Sequence, residues 1–131
     1  MEIHTFFGRI IVAAFVILAL LAFSSPSARI EQGQRLFNQS HLGKNKVMGC
    51  VLCHSLKADV STVGPSLSGL RFRAGKTVPN LNAHQYLRQS IVNPDAFIVS
   101  GYLPAIMYAH YSSELSAKQI DAIIIFLLNK T

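Results

Sequence analysis

The chain has 131 residues, half of them hydrophobic and only 14% charged, with a net charge of +6, two cysteines and no tryptophan. That length holds one domain and one extra segment, and so few charges exclude a solvated, disordered chain. Two cysteines are too few for a four-thiolate zinc site or a multi-bridge scaffold, and neither a Walker-type loop nor a Gly-x-Gly-x-x-Gly fingerprint is present to support nucleotide binding.

The first element is an unbroken apolar run from Ile10 to Phe23, with Phe6 and Phe7 just ahead of it. As a helix it covers about 21 Å, or about 27 Å from Phe6, close to the ~30 Å hydrocarbon core of a bilayer. Arg9 would snorkel toward the headgroups. A secretory signal peptide also suits the run's length, and residues 24–28 supply small side chains. Cleavage after Ala28, however, would put Pro26 at a position that prefers a small residue. The favoured reading is a membrane anchor or uncleaved signal over residues 1–28. It makes a single pass through the cytoplasmic membrane and places residues 29–131 on the periplasmic or extracellular side. Arg9 on one flank and Arg29 and Arg35 on the other leave the positive-inside rule without a preference.

Residues 29–131 form one small domain, for which an extra core element is an advantage. Ile30, Gly33 and Phe37 at helical spacing predict a helix over 29–37. A second helix spans 81–92, with Asn82 as cap, Leu87 and Ile91 one turn apart, and Pro94 as the stop. The third spans 116–129. It opens on the capping-box pattern Ser116-x-x-Gln119 and carries the stripe Ile120, Ile123, Ile124 and Leu127. No alternating run predicts a strand. Segments 38–50, 57–80 and 94–115 read as loops. They are long for a packed domain of this size, which points to a non-protein group between them.

Both cysteines fall in Cys50-Val51-Leu52-Cys53-His54, the Cys-x-x-Cys-His pattern of c-type haem attachment. Two thiols three residues apart reach the two vinyl groups of one porphyrin and hold it through thioethers. The histidine beside the second thiol supplies a nitrogen ligand to the iron. A redox disulfide would need a βαβ context, and a zinc site would need further ligands. The expected cofactor is therefore one haem c, covalent through Cys50 and Cys53, with His54 on the iron. A second axial ligand must come from elsewhere. Met107, in the irregular stretch before the last helix, is the leading candidate, and a His/Met iron has a raised potential. His110, His41 and His84 are rivals. Met48 lies too close to Cys50 in sequence to reach the far face of the ring.

Lys44, Lys46, Lys57, Arg71, Arg73 and Lys76 all lie in the loops around the expected haem. They predict a positive rim that steers docking onto an acidic redox partner, with one of Arg71 and Arg73 pairing a propionate. Nucleic acid is a poor partner for an exported haem domain. Ile125 and Leu128 fall opposite the inner stripe of the last helix and are expected to meet a partner subunit or the membrane.

With these residues assigned, the chain resembles the class I (mono-haem) cytochrome c family over nearly all of 29–131. Gly33-Gln34-Arg35-Leu36-Phe37 looks like the family's first-helix signature, Cys50 to His54 matches its haem motif, and Gly64-Pro65-Ser66-Leu67 resembles its Gly-Pro-x-Leu loop. Residues 86–96 and Gly101-Tyr102-Leu103-Pro104 are similar to the cytochrome c domains of membrane respiratory complexes, such as the one on subunit II of caa3-type oxidases. Leu115-Ser116-x-x-Gln119-Ile120-Asp121 matches the start of the final helix. The family usually has proline after the ligand methionine; here Tyr108 follows Met107.

The resemblance implies an all-α fold of three to five helices with long loops around one covalent haem, preceded by the transmembrane helix, with the last helix crossing the first. It implies that the Pro65 carbonyl accepts a hydrogen bond from His54, and that Leu67 and Tyr102 lie in the haem pocket. The implied function is one-electron transfer, without substrate chemistry, by a membrane-anchored subunit of a respiratory or photosynthetic complex. The alternatives are a free-standing tethered or secreted carrier, or a haem subunit of a sulfur-oxidising or other catalytic enzyme, for which an iron without Met107 would leave an open site.

Overall fold

A computed structural model describes residues 25–130. The apolar run at 10–23 lies outside them, and among the described residues no helix is long and apolar enough to cross a membrane. The architecture of the described part is all-α, with very little strand.

Helix α1 spans Pro26–Asn38. The Ser25 hydroxyl accepts from the Ala28 amide at 3.2 Å, and Pro26 sits in the first turn, where its missing N–H costs nothing. The expected boundary between leader and domain at 28/29 thus falls inside the first turn of α1. Two two-residue strands follow, β1 (His41–Leu42) and β2 (Val47–Met48), antiparallel with His41 opposite Met48. No strand was expected here, because two residues are too few to show an alternation. The turn between them takes left-handed backbone at Gly43 and Lys46. A 3₁₀ turn, Cys50–Leu52, comes next.

The segment 57–80, expected to be loop throughout, contains α2 (Leu70–Thr77). Its helical signal is thin in sequence. Only Leu70 and Ala74 are buried, one turn apart, among Arg71, Arg73 and Lys76. Those two side chains turn α2 toward α3 (Ala83–Val92), its main neighbour, and the last helix, Ala117–Lys130. Asn82 caps α3 in a reciprocal box with Gln85, each side chain accepting from the other's amide at 2.9 Å. The 3₁₀ turn Pro94–Ala96 ends that helical stretch. One helical turn, α4 (Tyr111–Glu114), interrupts the loop expected over 94–115.

The last helix, α5, spans Ala117–Lys130. Ser116 and Gln119 form the expected capping box, with Ser116 N to Gln119 Oε1 at 2.8 Å and Gln119 N to Ser116 Oγ at 3.3 Å. Ile120, Ile123, Ile124 and Leu127 are buried, together with Ala122 and Phe126. Ile125 and Leu128 are half-buried, and Leu128 packs partly against the core.

The most extensive contact between elements is α1 against α5. Gly33 makes the close approach possible: a Cβ there would run into the Ala122 carbonyl and the Cβ of Phe126. Beside it Phe37 and Phe126 pack with ring centroids 5.7 Å apart, both almost fully buried. Each such ring contributes roughly 1.5–3 kcal/mol by its burial. Asp121 on α5 pairs with His84 and Arg88 of α3, each at 3.4 Å, on a half-exposed edge.

Candidate functional site

Between this helical frame and the loops lies a cavity enclosing about 1300 Å³ of empty space, its solvent-open mouth included. Its inner wall is core: Phe37, Leu70, Leu87, Ile91, Ile123 and Leu127. Its mouth is apolar too, with Met48, Val63, Leu103 and Ile106 all more than half exposed.

Cys50, Cys53 and His54 line one part of the cavity. The Cys53 and His54 amides both donate to the Cys50 carbonyl, at 3.2 and 2.9 Å. This tight turn brings both thiols and the imidazole to the cavity wall. Neither cysteine is in a disulfide. Burial pushes the Cys50 thiol up to about 11, so it is protonated at neutral pH. Reactive redox cysteines have the opposite tendency, toward a stabilised thiolate.

The imidazole of His54 is held from the far side. Its Nδ1 lies 2.9 Å from the Pro65 carbonyl. A carbonyl only accepts, so Nδ1 carries the proton and Nε2 keeps a free lone pair. Burial lowers the His54 pKa, with the Pro65 hydrogen bond opposing, and this favours a neutral ring. Segment 62–67 is laced back to the cysteine turn. Gly64 N donates to Cys53 O at 2.8 Å, Thr62 Oγ1 to the same carbonyl at 2.6 Å, and Leu67 N to Ser55 O at 2.8 Å. Gly64 lies against the ring itself, where a Cβ would collide with the His54 imidazole.

Met107 reaches the same cavity from the irregular segment between Pro94 and α4, together with Tyr102, Leu103, Ile106 and Tyr108. Two devices shape that segment. Gly101 and Ala105 take left-handed backbone, and Asp95 Oδ1 accepts from the Ala105 amide at 2.9 Å.

The structure brings Cys50, Cys53, His54, Pro65, Leu67, Arg73, Tyr102 and Met107 to one cavity. Arg73 is anchored there by donating to the Ser66 and Ser68 carbonyls at 2.6 and 3.1 Å. Arg71 is not among the lining residues. Its guanidinium sits over the exposed Phe72 ring, 5.3 Å from the centroid. His41, His84 and His110 do not line the cavity, whereas Met48 does. Sequence reasoning set Met48 aside for its closeness to Cys50. The short hairpin folds its side chain to the cavity mouth.

Two contributors had gone unnoticed, Asp95 and Tyr111. Tyr111 is buried, lines the cavity and donates to the Met48 carbonyl at 2.7 Å. An aromatic one turn after Met107 is readable as a core residue, but a bond across 63 positions has no local signal. Among the described residues no group of three or more His, Cys, Asp or Glu side chains is placed to hold a bare metal ion. No protein-family model matches the chain, and no curated protein matches it.

Proposed function

We propose that the cavity holds one haem c, bound covalently through Cys50 and Cys53 with His54 and Met107 as axial ligands, within a class I cytochrome c fold. The residues present fit such a group. A protein interior is close-packed, with few voids larger than a water molecule, so a cavity walled by core side chains and apolar at its mouth suits an apolar occupant. Two free thiols stand at its wall, each of which could add its S–H across a vinyl group and form one C–S bond. The observation that carries the reading is the His54 ring, oriented by the Pro65 carbonyl and fitted against Gly64, with Nε2 left free to bind a metal. Holding the far nitrogen of a ligating histidine in this way fixes its tautomer and raises its basicity.

When bound, the haem supplies a one-electron ferrous/ferric couple. The chain does the rest. His54 and Met107 would both hold the iron, which would leave no open site for a substrate. The core wall excludes water from the inner part of the cavity. Leu103, Ile106 and Met48 keep the mouth apolar where a redox partner would approach, and Arg73 adds a positive charge at the cavity wall.

The apolar run at 10–23 supports a further step, in which the chain is a membrane-anchored electron carrier and a subunit of a respiratory or photosynthetic complex. A tether of this kind raises the effective concentration of the domain beside its donor and acceptor.

A pyridine haemochrome assay on full-length protein from a maturation-competent host tests the cofactor. A c-type spectrum is expected, and its absence would end the reading. The ferric absorption spectrum tests the ligands. A low-spin methionine–iron signature supports the carrier, whereas a high-spin spectrum would favour a haem enzyme with an open site.

A further inference from the structure

The short helix α4 and the hairpin β1–β2 are joined at both ends of α4. At its first residue the buried Tyr111 hydroxyl donates to the Met48 carbonyl at 2.7 Å. At its last residue Glu114 accepts from the Asn45 amide at 3.1 Å and from the Asn45 side-chain amide at 2.5 Å. The turn between the strands is shaped to receive it. Gly43 has a φ of +68°, and a Cβ there would strike Glu114. The hairpin closes just before the cysteine turn, with the Gly49 amide donating to the Ser40 carbonyl at 2.8 Å.

These bonds connect two particular places. Met48 lies two residues ahead of Cys50. Tyr111 packs its ring on Tyr108, centroids 5.1 Å apart, and Tyr108 is the neighbour of Met107. The chain of contacts therefore runs from Met107 through Tyr108 and Tyr111 to the strand that leads into the Cys50 turn. No regular secondary structure holds the segment 97–110. A thioether is a neutral, weak ligand, and its persistence on a metal depends on how firmly its segment is held.

We propose that α4 and the hairpin form a clasp, in which Tyr111 is a positioning residue that holds the Met107 segment against the cysteine turn. This rests on Met107 being the second axial ligand. If Tyr111 were core filler alone, loss of its hydroxyl would lower overall stability and nothing more. As a clasp, its loss raises the population in which Met107 has swung away from the iron.

Imidazole measures that population, because it binds only after Met107 has left. Ferric full-length Tyr111→Phe protein should bind imidazole about three- to tenfold more tightly than wild type, the range set by one hydrogen bond. Covalent haem content should be unchanged. Glu114→Gln, at the exposed end of the clasp, should show a smaller gain of about twofold. Hydrogen exchange gives a second readout: the Leu115 and Asn45 amides should exchange faster in Tyr111→Phe.

Asp121→Asn breaks the α3–α5 ion pairs elsewhere and should leave imidazole affinity unchanged. An unchanged affinity in Tyr111→Phe, or an equal gain in Asp121→Asn, would overturn the clasp. The wild-type spectrum separates the two possible failures. If the methionine–iron signature is missing there, the ligand assignment and the clasp fall together. If it is present and Tyr111→Phe behaves as wild type, only the clasp falls.

Discussion

At the crossing of α1 and α5 the two backbones approach so closely that glycine alone fits at position 33, and Phe37 and Phe126 close the gap beside it. Across the cavity, the segments 48–67 and 94–111 are held by hydrogen bonds between loop residues, among them Asp95 with Ala105, His54 with Pro65 and Tyr111 with Met48. One region is a packed frame, and the other is a set of loops arranged around a space. Mutations in the frame should therefore act on stability. Mutations in the loops should act on the geometry of the site while the frame survives.

The sharpest way to break the comparison is Phe126→Ala. Truncating a buried aromatic at the crossing costs about 3–5 kcal/mol. Thermal unfolding should show this as a large drop in Tm. Gly33→Ala comes next. Its new Cβ meets the backbone carbonyl of Ala122, which cannot yield as a flexible side chain would, so the helices must separate. Overpacking of this kind costs about 3 kcal/mol, by the same measurement.

On the loop side, Gly64→Ala should cost less in stability, about 1–2 kcal/mol, yet do more to the site. The added methyl pushes on the His54 ring. If the haem reading holds, the spectrum should lose its low-spin form, with a smaller drop in Tm than either frame variant shows. A variant that instead unfolds without altering the spectrum would erase the distinction between the two regions.

Tyr111 links the regions through pH. Burial, with the charges of Cys50, Cys53 and Tyr108 adding to it, pushes its hydroxyl from 10.0 up to about 12. The folded state thus keeps a proton that the unfolded state gives up. The resulting stability is complete below pH 10 and is lost as pH rises from 10 toward 12. The burial part of the effect survives conversion of both thiols to thioethers. Tyr111→Phe should flatten the decline of Tm over that range. The smallest effect is expected for Arg88→Gln. Its pair with Asp121 is half-exposed, so the change should lie within about 0.5 kcal/mol.

The frame was legible in the sequence because its elements repeat a pattern. The stripe Ile120, Ile123, Ile124 and Leu127, the Ser116–Gln119 box and the Asn82 cap all state their helices locally. Helix α2 was not legible, because two buried residues, Leu70 and Ala74, set among arginines and a lysine carry almost no periodic signal. The hairpin at 41–48 was missed for a similar reason, its strands being two residues each. At the site, the cysteine turn was readable from spacing. The His54–Pro65 bond came from the resemblance to a family, as composition and periodicity do not carry it. Arg71 and Arg73 looked equivalent in sequence. Only the fold separates them, turning Arg73 to the cavity and Arg71 onto Phe72. Tyr111 and Asp95 act through partners distant in sequence, Met48 and Ala105, and neither bond leaves a local trace.

The central claim is that two thiols at the wall of this cavity carry one haem. Peptide mass analysis of full-length protein from a maturation-competent host tests it most directly. The account predicts that the fragment containing Cys50 to His54 carries the added mass of one haem, with both thiols blocked to alkylation. A fragment of unmodified mass with both cysteines freely alkylated would contradict it.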